Sequence, residues 1–241
     1  MDIHTFFKQI ILTLTLLSGL GLAQAEEAEL CEPFKDGIVN ESLLETMLSA
    51  AEDGHLYRIQ QASSKVGFCV DSTLSRIEGD FHDFQGGIAL DTGDTDDGQT
   101  MVLIQAASLD TKGAFIENML KSENFFDVEN HPEILFVSNG FKWTGPETAV
   151  LKGELTMRGI TKPVIFNVTL TALDDKPVKL AEKILVKATT TINRADFGMD
   201  TLAPMVNNNV QLCMSVEAQK YETIGSLGAT VAGQSAVPTP G

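Results

Sequence analysis

The chain has 241 residues, 43% of them hydrophobic, and a formal net charge of −16, with 33 Asp and Glu against 17 Lys and Arg. That apolar content excludes global disorder and suits a single core with appendages. So negative a surface repels phosphate backbones and anionic headgroups, which argues against nucleic acid and against peripheral membrane docking.

Residues 1–25 read as a secretory signal peptide. Lys8 precedes an apolar run at residues 10–22, and Ala23-Gln24-Ala25 places small residues at −3 and −1 of a cleavage site. The run is shorter than the roughly 20 residues of a transmembrane helix, and no other stretch is long and apolar enough, so no stable membrane insertion is expected. Cys31 follows Ala28-Glu29-Leu30, which lacks the small residues that precede a lipid-modified cysteine. Residues 26–54 read as an N-terminal helical extension. Asn40 can cap a helix with Leu43, Leu44, Met47, Leu48 and Ala51 on one face, stopped by Gly54. Such a helix either packs on the outside of the domain or lies as a lid over an opening.

Residues 55–222 carry the strands. Tyr57-Arg58-Ile59 is short, residues 65–71 alternate, and residues 76–91 form a long strand in which Gly79, Gly86 and Gly87 mark sharp bends. Residues 91–98 form a polar turn with only a faint calcium-loop look, because no Glu closes it. Residues 101–107 follow as a strand with Val102, Ile104 and Ala106 in phase. The period then changes. Phe115, Ile116, Met119 and Leu120 recur at helical spacing, so one inserted helix is expected over residues 111–123. A loop with Phe125 and Phe126 leads to His131-Pro132 and a strand carrying Ile134 and Phe136, with Trp143 near its end. Strands at residues 181–192 and 209–218 close the series, and residues 223–241 are a Gly, Ala, Ser, Thr and Pro tail expected to be disordered.

The clearest unit is LKGELTMRGITKPVIFNVTL, residues 151–170. Leu151, Gly153, Leu155 and Met157 alternate with polar residues, and Val164, Phe166, Val168 and Leu170 repeat the pattern, with Ile165 the one violation. Residues 158–163 read as the hairpin connection, with Pro163 as a first strand residue. About eight such strands joined by short turns point to an all-β, antiparallel barrel or a sandwich. A barrel of that size is either filled by its own side chains or holds one small ligand.

Three histidines outside the signal segment, His55, His82 and His131, show no metal-ligand spacing, and no nucleophile elbow or phosphate loop appears. No catalytic residue, metal or cofactor is therefore assigned. Arg194 and Asp196 read as a structural ion pair, and Arg158 and Lys162 as solvated hairpin bases that could hold an anionic headgroup. Cys69 and Cys213 fall out of phase with their apolar neighbours and so share the outer face of what read as the first and last long strands. A Cys69–Cys213 disulfide is expected, with Cys31–Cys69 and Cys31–Cys213 as rivals. No basic setting that would activate a thiol is visible near any cysteine in the sequence.

GELTMRGITKPV at residues 153–164 closely resembles the signature hairpin of the YceI-like family. The resemblance extends over residues 56–218 through GDFHDFQGGIALD, KSENFFDV, His131-Pro132 and TINRADFGM. It implies a lipocalin-like barrel in the bacterial periplasm whose lumen takes a long isoprenoid, a quinone or polyprenyl species, or an acyl-type chain. The expected lumen residues are Phe68, Phe81, Ile104, Phe136, Leu155, Met157, Phe166, Val168, Leu212 and Met214, with Met119 and Phe126 from the helical insert. The alternative is a ligand-free structural or stress-related interaction protein with a filled core. A homodimer is compatible with either. The segment Gly113-Ala114-Phe115-Ile116-Glu117-Asn118 departs from the family's usual His/Arg-Asp helix, and the cysteines are also atypical.

Overall fold

Residues 41–90 and 98–221 are described by a computed structural model of the chain. The signal segment, Asn40, Cys31, the acidic turn at 91–97 and the tail lie outside the described residues.

A helix, α1 (Glu41–Glu52), precedes eleven strands: β1 (Leu56–Ile59), β2 (Lys65–Ser72), β3 (Arg76–Phe81), β4 (Phe84–Ala89), β5 (Gln99–Gln105), β6 (Leu109–Thr111), β7 (Glu133–Trp143), β8 (Thr148–Met157), β9 (Ile160–Ala172), β10 (Lys183–Asn193) and β11 (Val206–Lys220). A second helix, α2 (Ala114–Lys121), separates β6 from β7. All pairings are antiparallel in the order β1-β4-β5-β7-β8-β9-β10-β11, and β1 pairs back onto β11, which closes an eight-strand barrel. Closure leaves no open edge along this ring. Three staves are interrupted. β11 pairs with β2 through residues 206–215 and with β1 through residues 218–220, so β1 and β2 continue one another around a short 3₁₀ turn. β3 and β4 likewise continue one another across His82–Asp83, and β5 and β6 across a second 3₁₀ turn.

The long strand expected at 76–91 is thus two strands. Its break falls at His82–Asp83 rather than at a glycine. The hairpin connection is also tighter than the expected six residues, 158–163. Arg158 and Gly159 sit at φ 53° and 69°, the left-handed pair of a two-residue turn that matches strand twist, and β9 starts at Ile160. Pro163 lies inside β9 opposite Glu154, where β9 is paired to β8 alone, so its missing N–H removes no bond to β10.

Alternation along the strands sends one face inward. In β9, Val164, Phe166, Val168 and Leu170 are buried while Ile165 is 54% exposed. Gly153 is required by close approach: a Cβ there would come within 2.6 Å of the Phe136 ring and 2.4 Å of Val137 O. On α1, which lies against β4, Met47 is buried and Leu48 is exposed, so Leu48 departs from the expected apolar face; the side chains of Leu43 and Leu44 lie outside the described residues.

Candidate functional site

The lumen is divided. At one end, Tyr57 is buried and its hydroxyl donates to Ala181 O at 2.7 Å, and Leu170 and Ile184 are fully buried in the same core. Burial, with Glu182 and Asp174 nearby, pushes the Tyr57 phenol up to about 12. The void left in this half, among Ile88, Leu151, Val168 and Val186, is about 40 Å³.

The other end is built differently. β6 pairs only with β3, β7 begins beside Gln105, and the gap is occupied by α2 and residues 122–131. That loop is tightly bonded. Phe126 N donates to Leu120 O at 2.9 Å, and Asp127, at φ 50°, donates through its N–H to Ser122 O. Arg158 donates to Glu123 O at 2.7 Å and to Phe125 O, so this cation clamps the loop. Phe126 is thereby driven into the lumen, where its ring centroid lies 5.6 Å from both Phe68 and Phe81.

A cavity of about 90 Å³ lies beneath these rings. Phe68, Phe81, Ile104, Met119, Phe126, Phe136, Leu155, Met157, Phe166, Leu212 and Met214 all line it; Val168 lines the smaller void in the other half. Pattern reading overlooked Phe125, Leu120 and Met199, which come from loops and the helix where no two-residue period marks them, and Val206, which starts β11 before a register shift interrupts its alternation. On α2, Leu120 is buried and Met119 partly so, but Phe115 is 80% exposed, which corrects the single apolar face expected there.

Arg194 is the one charged residue on the cavity wall, and it is 3% exposed. It does not pair with Asp196, which faces solvent. Its guanidinium instead donates to the carbonyls of Asn207 (3.1 Å), Thr201 (2.8 Å), Val206 (3.1 Å) and Met199. Four carbonyl acceptors replace water around the charge and staple residues 194–207 across the barrel end. Burial still draws its pKa below the ordinary range, opposed by Asp200.

Cys69 and Cys213 lie on the outer face of the β2–β11 seam as free thiols, not as the expected disulfide. The register explains the difference: Cys69 stands opposite Gln211 and Cys213 opposite Gly67, so the two are diagonal rather than opposed. The cysteine setting is also more basic than the sequence shows, because Arg76, from the adjoining β3, donates to Cys69 Sγ. Among the described residues no cluster of three His, Cys, Asp or Glu is placed to hold a metal ion, and no helix is long and apolar enough to cross a membrane.

The YceI-like domain model matches residues 57–218. A UPF0312 protein of Pseudomonas putida GB-1 is 36% identical over 148 residues, 61% of this chain and 76% of the relative, and one of Pseudomonas fluorescens SBW25 is 34% identical over the same share. Among solved structures, Burkholderia cenocepacia BcnA superposes with a TM-score of 0.61 at 22% identity, over 67% of this chain and 99% of that one. A polyisoprenoid binding domain from Saccharophagus degradans gives 0.53 at 14% identity, over 68% and 98%. These likenesses agree with the closed barrel, and the span of the domain match is decisive: the chain belongs to the YceI-like family.

Proposed function

We propose that this protein is a periplasmic carrier that holds one long isoprenoid, a quinone or polyprenyl species, or an acyl-type chain, in the α2 half of its barrel. The observation that carries the reading is the wall of the cavity. Its side chains are apolar throughout except Arg194, whose guanidinium is engaged by backbone carbonyls. Such a wall offers a hydrocarbon chain burial worth about 25 cal/mol per Å² and offers a polar substrate nothing. It also carries no catalytic constellation, and we read the protein as a binder rather than an enzyme. The Saccharophagus degradans domain described as polyisoprenoid binding shares the fold, and the signal-peptide pattern of residues 1–25 supports export.

At about 90 Å³ the cavity is smaller than the roughly 150 Å³ that takes one benzene, so a chain of several isoprene units enters only if the wall gives. The adaptable part is the insert. Met119 is an unbranched thioether, and Phe126 enters from a loop rather than a strand. The same small volume favours the second reading, a ligand-free interaction protein whose partner docks on the outer wall or on α1.

Mass spectrometry of solvent extracts from protein purified without detergent separates the two. The carrier reading expects stoichiometric chain lipid, lost in Met157→Trp, which fills the cavity without adding charge and is checked for folding by circular dichroism. Lipid-free protein that shows no thermal shift on adding isoprenoids supports the filled-core reading instead.

A further inference from the structure

We propose that Cys69 and Cys213 form an oxidation site on the outer face of the barrel, at which a peroxide-class oxidant joins the two thiols in an intramolecular disulfide. Three observations converge on the pair. The β2–β11 register makes the cysteines diagonal neighbours on one face of the ladder. After burial, the Cys69 sulfur is among the groups that push the Cys213 thiol up, so the two side chains lie within electrostatic reach of one another. Cys69 is also held in place: its thiol donates to Gln211 Oε1 at 3.4 Å, and its sulfur accepts from the Arg76 guanidinium.

The neighbours divide the labour. The Arg76 guanidinium donates to the Cys69 sulfur, and that contact assigns Cys69 the attacking role. Burial and the adjacent Cys69 sulfur push the Cys213 thiol up, so Cys213 keeps its proton and acts second. Asp71 and Glu78 also face Arg76, at 3.3 and 4.0 Å, and orient it. Cys69 is 9% exposed, which favours a small oxidant over a bulky disulfide reagent.

The Cys69 sulfur attacks one peroxide oxygen; the O–O bond breaks, and Cys69 sulfenic acid and one water (or alcohol, from an organic peroxide) result. The Cys213 sulfur then attacks the sulfenic sulfur; the S–O bond breaks, the S–S bond forms, and a water departs with the Cys213 proton. The two thiols give up two electrons, and the peroxide bond receives them. Diagonal Cβ atoms sit roughly 7 Å apart in a relaxed ladder, against about 4 Å in a disulfide, so β2 must shear along β11 and the bond is readily reduced. Phe68 and Val70 flank Cys69, and Leu212 and Met214 flank Cys213, so this shear reaches the lumen wall.

The test treats the reduced full chain with hydrogen peroxide, alkylates it, and maps peptides without reduction. A Cys69–Cys213 cross-link within one chain, reversed by dithiothreitol, is expected. Cys213→Ser should stop at a dimedone-reactive Cys69, and Arg76→Gln should slow oxidation on the order of tenfold. Circular dichroism confirms that both variants are folded. Both thiols still free after excess peroxide, either one joined to Cys31, or an unchanged rate in folded Arg76→Gln overturns the proposal.

Discussion

At the Tyr57 end of the barrel, strands meet strands around the whole ring, and the interior closes on Leu170 and Ile184 with about 40 Å³ to spare. At the α2 end, part of the ring is a helix and a loop, and about 90 Å³ is left under three phenyl rings. The inward residues are of the same kinds in both halves. What differs is the backbone that presents them. Facing strands set their side chains at a fixed pitch and interdigitate, whereas α2 and residues 122–131 set Met119 and Phe126 at positions that no ladder dictates. Room for a guest therefore arises where the barrel stops being a barrel.

Substitutions should cost unequally across that divide. Leu170→Ala, in the filled half, removes a side chain that is 1% exposed, and should cost about 3–5 kcal/mol in urea unfolding. Alkaline pH should find the same half. Below pH 10 the Tyr57 phenol is protonated in both states; as pH rises toward 12 the unfolded chain loses that proton while the folded one keeps it. Stability is thus intact below pH 10 and falls by about 2–3 kcal/mol by pH 12, and Tyr57→Phe should remove that slope from pH-dependent unfolding curves. Gly153→Ala, which drives a methyl into the Phe136 ring at the boundary, should cost about 1–3 kcal/mol by the same assay. Met119→Ala, beside existing space, should cost only about 1 kcal/mol or less. Equal costs for Leu170→Ala and Met119→Ala would erase the distinction between the halves.

Much of the barrel was legible because its signal is local. The alternation of Leu151, Gly153, Leu155 and Met157 gives the inward face of β8 directly, and eleven of the twelve expected lumen residues border the larger cavity. Val168 borders the other void because the lumen is split, a property of packing depth that periodicity does not carry. Arg194 looked like half of an ion pair because Asp196 is close in sequence. Its actual partners are carbonyls of residues 199–207, fixed only once β10 and β11 are folded together. Arg76 escaped notice as a neighbour of Cys69 for the same reason: it arrives across a hairpin.

The most direct measurement is photolabelling of the full chain with a diazirine-bearing isoprenoid, followed by peptide mapping. The account predicts adducts on Met119, Phe126, Met157 and Met214, competed away by unlabelled isoprenoid and lost in Met157→Trp. Adducts confined to the outer wall, or concentrated around Leu151, Val168 and Val186 in the filled half, would contradict it.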